Sequence, residues 1–420
     1  MLYMSSESVD INTNDIRKRQ QFILVEQREE EVDIGGEWMN VFEELMNQRW
    51  IVKSEDREKY YRVLDAEGDI RNFVTEKLGY RLIVNGSLVK LEKIPGEAQA
   101  WMGIQEFREP REYAVFCCIL MFLEDKEPEE QFVLSQLTEY ISAQFPEGEI
   151  PWTVYANRQM LIRIIKFCIK NRLFLVDDGK SEDFAVDIAT EALYENTGLS
   201  KYFMRNFAMD ISNHMNPSDF FQSEWFDMNE DRGIVRRQRV YRKLLLSLGI
   251  YREKEQDEDF NYIKNYRNII ENDLSKLVDC SLQIHKSSAY LVIDENGYLG
   301  KAYPPDNSMA STILLFQNDI VLDVKNGKLK LEVNEMITMT SIELLERISS
   351  VRKKYGVALS KAIRDMQEES FVATVLDQMQ SLDLIRKNEL SEEYKLMPIV
   401  GKLVGRYQSI TEKEQLHVNK

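Results

Sequence analysis

The sequence predicts a mainly α protein with short β-hairpins, an α+β chain built from tandem helix–hairpin units. Three observations carry this. Apolar residues recur at helical spacing over long stretches. Tight-turn residues close those stretches and separate short β-favouring runs, as at Asn85-Gly86 and Asp177-Asp178-Gly179. The composition is that of a folded globular chain: 420 residues, 44% hydrophobic and 30% charged. That length exceeds one ordinary core and calls for two or three packed units.

The elements follow in order. Residues 1–35 read as a charged leader containing Glu29-Glu30-Glu31, and the opening MLYMSSESVD has neither the basic nor the apolar region of a secretory signal. A helical/hairpin unit over 36–95 starts with Trp38, Val41, Phe42, Leu45 and Met46 at helical spacing. A second helix covers Asp56 to Leu78, is interrupted near Asp65–Gly68, and ends at Gly79. Tyr80–Val84 and Leu88–Leu91 form a hairpin about Asn85-Gly86. A unit over 96–197 holds helices at Arg111–Leu123, Phe132–Phe145 and Asn157–Asn171, a strand at Leu173–Val176, and a return strand at Phe184–Ile188. Three helices followed by two strands is the order of a winged helix–turn–helix.

The middle region, 198–300, has a helix over Gly233–Leu248, a strand at Ile250–Lys254, helix over most of Asp257–Asp279, and a hairpin turning at Glu295-Asn296-Gly297. A C-terminal winged-helix unit spans 301–408. Its helices are Met309–Ile320, Ser341–Lys354 with Thr340 as N-cap and Glu343 at the capping-box position, and Glu368–Leu382. Leu384–Lys387 and Tyr394–Met397 form the wing, turning at Asn388–Ser391, and Pro398–Tyr407 closes as a short helix. Residues 409–420 are a polar tail. The architecture repeats without a fixed short sequence period, which excludes a solenoid.

Charge and motifs narrow the function. The formal charge is -17, from 71 acidic against 54 basic residues, so the overall field repels phosphate and argues against a protein that coats DNA alone. The longest apolar run, Ala114–Leu123, is about half of what a bilayer helix needs. Four cysteines, Cys117 and Cys118 adjacent in an apolar run, read as reduced, buried thiols of a cytoplasmic protein. No phosphate-loop, dinucleotide or nucleophile-elbow motif is present, and none of the three histidines has metal spacing, so no catalytic role, metal or cofactor is expected.

The strongest positive feature is Arg236–Lys243, RRQRVYRK. On a helix, Arg236, Arg239, Arg242 and Lys243 share one side, while Val240, Tyr241, Leu244 and Leu245 cover another. One reading is a phosphate-contacting face. The other is an amphipathic helix whose arginines pair with acids such as Glu253 or Glu255. A second stripe, Arg163, Lys166 and Lys170, lies on the third helix of the 96–197 unit, with Asn157, Arg158 and Gln159 at the end that would read base edges. Arg352-Lys353-Lys354, extended by Lys361 and Arg364, is a third basic patch, equally explained as cations at a helix C-terminus. Trp101, Trp152 and Trp225 fall in linkers as packing anchors.

Several stretches together resemble the kite-type subunit of bacterial Wadjet defence systems, condensin-like anti-plasmid complexes built on an SMC ATPase. They are Arg57–Arg62 through Phe73 to Gly79–Leu82 with Leu88–Lys93; Glu109–Tyr113 with Leu134–Ile141; Arg236–Leu248 with Ile250-Tyr251; and Tyr355–Ala362 with Phe371–Leu382, Leu384–Lys387 and Leu396–Pro398. The resemblance runs in order over residues 45–407. It implies a non-enzymatic, tandem winged-helix protein that forms a homodimer and grips a kleisin-like subunit. The kleisin bridges the heads of the SMC ATPase complex, which extrudes DNA loops, and a separate nuclease subunit cuts small circles. The kite subunit helps hold double-stranded DNA, and its expected place is the cytoplasm, with the nucleoid or a plasmid. On this reading Arg236, Arg239, Arg242 and Lys243, then Lys166 and Lys170, contact phosphate. The alternative is a winged-helix transcription regulator.

Overall fold

The computed structural model describes residues 8–10, 34–98, 102–205, 212, 219, 232–294, 299–300, 303–388 and 391–406. Most of the predicted leader, the tail after 406, Trp101, Trp225 and the turn at 295–298 lie outside them. The fold is mixed α+β, with helix predominant and small antiparallel sheets of three strands.

One plan occurs four times: helix, short strand, two helices, two strands. Module 1 is Ile34–Asn47, Ile51–Val52, Arg57–Asp65, Glu67–Phe73, Arg81–Val84 and Leu88–Glu92. Module 2 is Pro110–Glu124, Gln131–Val133, Leu134–Gln144, Tyr155–Lys170, Phe174–Asp178 and Leu193–Asn196. Module 3 is Arg232–Leu246, Ile250–Tyr251, Glu258–Asn265, Arg267–Leu274, Cys280–Ile284 and Ser288–Ile293. Module 4 is Ser308–Lys325, Ile337–Thr340, Ser341–Tyr355, Glu368–Ser381, Ile385–Lys387 and Glu393–Leu396, with a short helix Lys361–Arg364 before its third long one. In each module's sheet the last strand lies between the other two and pairs antiparallel with both.

The chain divides into two compact units. Trp101–Glu224 contains module 2, and Met1–Ala100 with Trp225–Lys420 contains the other three. Modules 1 and 3, remote in sequence, share one core. Val41, Phe42, Leu45, Ile70 and Leu78 pack in the same cluster as Val240, Tyr241, Leu244, Ile270 and Leu274. Burial of each such side chain contributes roughly 1.5–3 kcal/mol. Module 4 has its own core around Phe316, Leu344, Ile348, Phe371 and Met379, joined by Tyr251 and Tyr290 of module 3. Among the described residues no helix is long and apolar enough to cross a membrane.

Local signals explain many boundaries. Asp56 caps Arg57–Asp65 by accepting from Lys59 N at 3.0 Å. The helix breaks at Ala66, resumes, and widens into a π turn over Val74–Leu78 that ends at left-handed Gly79 (φ 62°). Asn85 organises its hairpin by accepting from Ser87 N and Leu88 N at 2.8 and 3.0 Å. Thr340 accepts from Glu343 N at 3.2 Å as expected, but the Glu343 carboxylate turns to Arg347.

Four expectations need correction. The return strand of module 2 is Leu193–Asn196; Phe184 instead sits in a 3-10 turn, Ser181–Ala185, and is buried against Trp152. Helix Phe132–Phe145 begins two residues late because Gln131–Val133 is a strand paired to Leu193–Asn196. Module 3 has a hairpin that was not expected, turning at His285–Ser287 with Ser288–Ile293 paired back onto Cys280–Ile284, while the expected turn at 295–297 lies outside the described residues. The closing helix is only the 3-10 turn Pro398–Gly401, followed by strand Val404–Arg406 paired in parallel with Ser8–Asp10.

Candidate nucleic-acid interface

The helix Arg232–Leu246 carries six cations and no acid, yet Arg236, Arg237, Arg239, Arg242 and Lys243 all have partners within the fold. Arg242 is 1% exposed. Its Nε donates to Leu78 O at 2.5 Å and its Nη2 to Gly79 O at 3.1 Å, with the guanidinium 5.2 Å from the Tyr80 ring centroid. Those carbonyls end the π turn of module 1 and have no helical partner, so a buried guanidinium satisfies them. Arg242 is therefore removed from the set of phosphate contacts. Its neighbour Gln238 is also buried, and a Cβ on Gly79 would lie 2.4 Å from Gln238 Oε1, so only glycine fits there.

The other three predicted cations of this helix face acids. Arg239 makes a two-pronged pair with Asp259, at 2.7 and 2.5 Å, and this bonding raises its pKa above the ordinary value despite burial. Arg236 pairs with Glu258, and Lys243 with Glu97 at 3.0 Å. All three are half-buried. Acid pairing thus describes this helix, with Glu258, Asp259 and Glu97 in place of the expected Glu253 and Glu255. Beside it lies a cleft of about 270 Å³. Arg239, Lys243, Lys254 and Arg386 line it against Glu97, Glu253, Asp257, Glu258 and Asp259. Arg386 is held by Asp383 at 2.7 and 2.8 Å and by Glu253 at 3.0 Å. Four cations against five acids offer no net attraction to a phosphate chain.

The helix Tyr155–Lys170 also lacks acids, and its cations divide differently. Arg158 is buried and donates to Ala185 O at 3.0 Å, Trp152 O at 2.6 Å and Thr153 O at 2.9 Å. Asn157 donates to Pro151 O, and Gln159 to the Tyr155 hydroxyl, both at 3.0 Å. The three residues placed for base reading are thus engaged at their own helix start. Arg163 meets Glu112, a carboxylate 1% exposed inside the apolar helix Pro110–Glu124. Sequence reading missed Glu112; an acid in the first turn of the helix that carries the apolar run Ala114–Leu123 is the signal that an internal cation pairs with it.

Lys166 and Lys170 are the exposed members. Lys166 pairs with Glu182 at 3.0 Å and Lys170 with Glu106 at 2.7 Å, with lysine side chains 54% and 72% exposed. Pairs this open are worth about 0–1 kcal/mol and exchange readily for another anion. Their background is acidic, since residues 101–224 hold 21 Asp and Glu against 11 Lys and Arg.

In module 4, Arg352 pairs with Glu368 at 3.0 Å and lies over Phe371, and Lys354 pairs with Asp319 at 2.6 Å. Lys353, Lys361 and Arg364 are exposed without an acidic partner among the described residues. The third helix there, Glu368–Ser381, bears Glu368, Glu369 and Asp377 and no base. Trp152 anchors module 2, donating to Ser142 Oγ at 2.8 Å and Thr138 O at 3.2 Å. Cys118, Cys168 and Cys280 are buried free thiols whose pKa values burial pushes up, to about 11 for Cys280, whereas Cys117, expected to be buried with them, is exposed. Among the described residues no cluster of three or more His, Cys, Asp or Glu is placed to hold a metal.

No curated protein matches the chain. A family model does, over residues 42–406, which takes in all four modules apart from the start of the first helix. The chain therefore belongs to the DUF2398 family, described as proteins of unknown function.

Proposed function

We propose that the chain is a non-catalytic, kite-type scaffold subunit of an SMC-based, condensin-like complex of the Wadjet kind, one that grips a kleisin-like subunit and holds double-stranded DNA. The observation that carries this is the fourfold recurrence of helix–strand–helix–helix–strand–strand with the last strand central. That recurrence supports reading the modules as tandem winged helices, which is what the resemblance to kite-type subunits implies. Arg242 ties module 3 to module 1, and Arg386 ties module 4 to module 3, as a scaffold requires. The DNA contact belongs to Lys166 and Lys170, whose exposed pairs can exchange for phosphate without unfolding anything.

The alternative of an autonomous transcription regulator fits less well. Asn157, Arg158 and Gln159 are spent on local hydrogen bonds, and the unit carrying them is acidic. A weak phosphate grip inside a larger complex suits two lysines on an acidic background; sequence reading by an isolated domain does not.

The test is co-expression of the tagged chain with the products of its neighbouring genes. The expected eluate contains the chain, a kleisin-like protein and an SMC ATPase in fixed ratio. A chain that elutes alone while those proteins are present and soluble would refute the assignment.

A further inference from the structure

The four modules are not four equal repeats. Two backbone features sort them into alternating pairs. Among the described residues, four that are not glycine have positive φ: Glu129 (67°), Arg172 (57°), Glu335 (64°) and Asp383 (53°). Such residues are uncommon. Here they fall as matched pairs. Glu129 and Glu335 each stand two residues before the first strand of modules 2 and 4. Arg172 and Asp383 each join the third helix to the hairpin, and the next residue donates back into that helix, Leu173 N to Cys168 O at 3.0 Å and Leu384 N to Met379 O at 2.9 Å. Both modules then end in a 3-10 turn, Leu199–Tyr202 and Pro398–Gly401.

Modules 1 and 3 share a different set. Asp56 and Asp257 cap equivalent helices, each accepting a backbone N–H at 3.0 Å. Ala66 and Tyr266 end them within one residue of the same point, ten and nine residues after the cap. Lys53 N donates to Ser87 O, and Arg252 N to Ser287 O, both at 2.8 Å. Leu82 faces Leu91, and Leu282 faces Leu291. On the first helices Val41, Phe42, Leu45 and Met46 correspond to Val240, Tyr241, Leu244 and Leu245, each 199 positions later, and all eight are buried in one core. Equivalent surfaces meeting in one interface is what two identical copies do around a two-fold axis.

We infer that the chain is a tandem duplication of a two-module unit, in which modules 1 and 3 close on each other as two subunits would, so that one chain does the work of two and enters its complex as a single copy. This replaces the expected homodimer with an internal pairing and does not depend on the complex being of the SMC type. Covalent linkage frees the second-type modules to diverge. In the register set by Cys168 and Met379, Lys166 corresponds to Asp377 and Arg158 to Glu369, so the third helices of modules 2 and 4 differ in the sign of their charge. The exposed cations on the third helix of module 2 thereby have no counterpart on that of module 4.

Two measurements on the full chain test this. Light scattering of the untagged chain at rising concentration should give 49.4 kDa throughout, the mass of one chain; a doubled mass would overturn the single-copy claim. A protease site inserted between Arg205 and Arg232 should, once cut, leave two pieces that co-elute and part only in denaturant. Pieces that separate without denaturant would overturn the shared core.

Discussion

The helices Arg232–Leu246 and Tyr155–Lys170 look alike in sequence, both acid-free, both striped with cations and apolar residues. The first has the higher charge density and offers little of it to solvent. Its cations meet module 1 carbonyls at Arg242, the neighbouring helix at Arg236 and Arg239, and Glu97 at Lys243. The second has fewer cations, and two of them project from the surface. Charge density measures how many cations a helix carries. Charge availability depends on what packs against it, and availability decides whether a phosphate can bind.

Substitutions that separate these two quantities sharpen the contrast, and the largest effect is expected at Arg242. Arg242→Met keeps the bulk but leaves the Leu78 and Gly79 carbonyls without their donor. The expected loss is about 3 kcal/mol, on the order of 1–3 kcal/mol for each buried group left unsatisfied. Denaturant unfolding monitored by circular dichroism reads it, and an unchanged midpoint would return Arg242 to the surface. Arg239→Gln should cost less, about 1 kcal/mol, because its pair with Asp259 is half-buried. Lys166→Gln with Lys170→Gln should change stability by no more than about 0.5 kcal/mol, as for ordinary surface positions.

The smallest effect is a pH dependence at Asp323. Hydrogen bonding from Arg347, then from Lys328, holds its carboxyl below the usual aspartate value. The folded pKa is lowered, so the stabilisation is complete above the ordinary aspartate pKa and disappears as pH falls through the folded value. Unfolding midpoints of the native chain and Asp323→Asn should differ at neutral pH and converge on acidification. A gap that widens instead would reverse the sign.

How much of this was legible in the sequence differs by level. Helices with a cap or a stop residue were readable nearly to the residue: Asp56, Gly79 and Thr340 each mark a boundary by a bond or a dihedral that depends on the nearest few residues alone. The first strand of three sheets was not. Ile51–Val52, Gln131–Val133 and Ile337–Thr340 are two to four residues long and exist because a strand further along the chain pairs with them. No local periodicity records that. The site failed for the same reason. Helical spacing placed Arg242 with Arg236 and Arg239, but the π turn that buries it lies in a segment 164 residues earlier. Lys166 and Lys170 lie on the outer edge of the stripe that module 2 leaves open on that helix, and their exposure follows from the same local spacing that named them.

The most direct test is the salt dependence of DNA binding by the purified complex. The account predicts that Lys166→Gln with Lys170→Gln lowers the slope of log K against log salt by about 2, roughly one for each phosphate that a lysine no longer neutralises. Arg236→Gln with Lys243→Gln, at cations already paired with Glu258 and Glu97, should leave that slope unchanged. The opposite pattern, a slope that falls for the Arg236 and Lys243 pair and holds for Lys166 and Lys170, would contradict it.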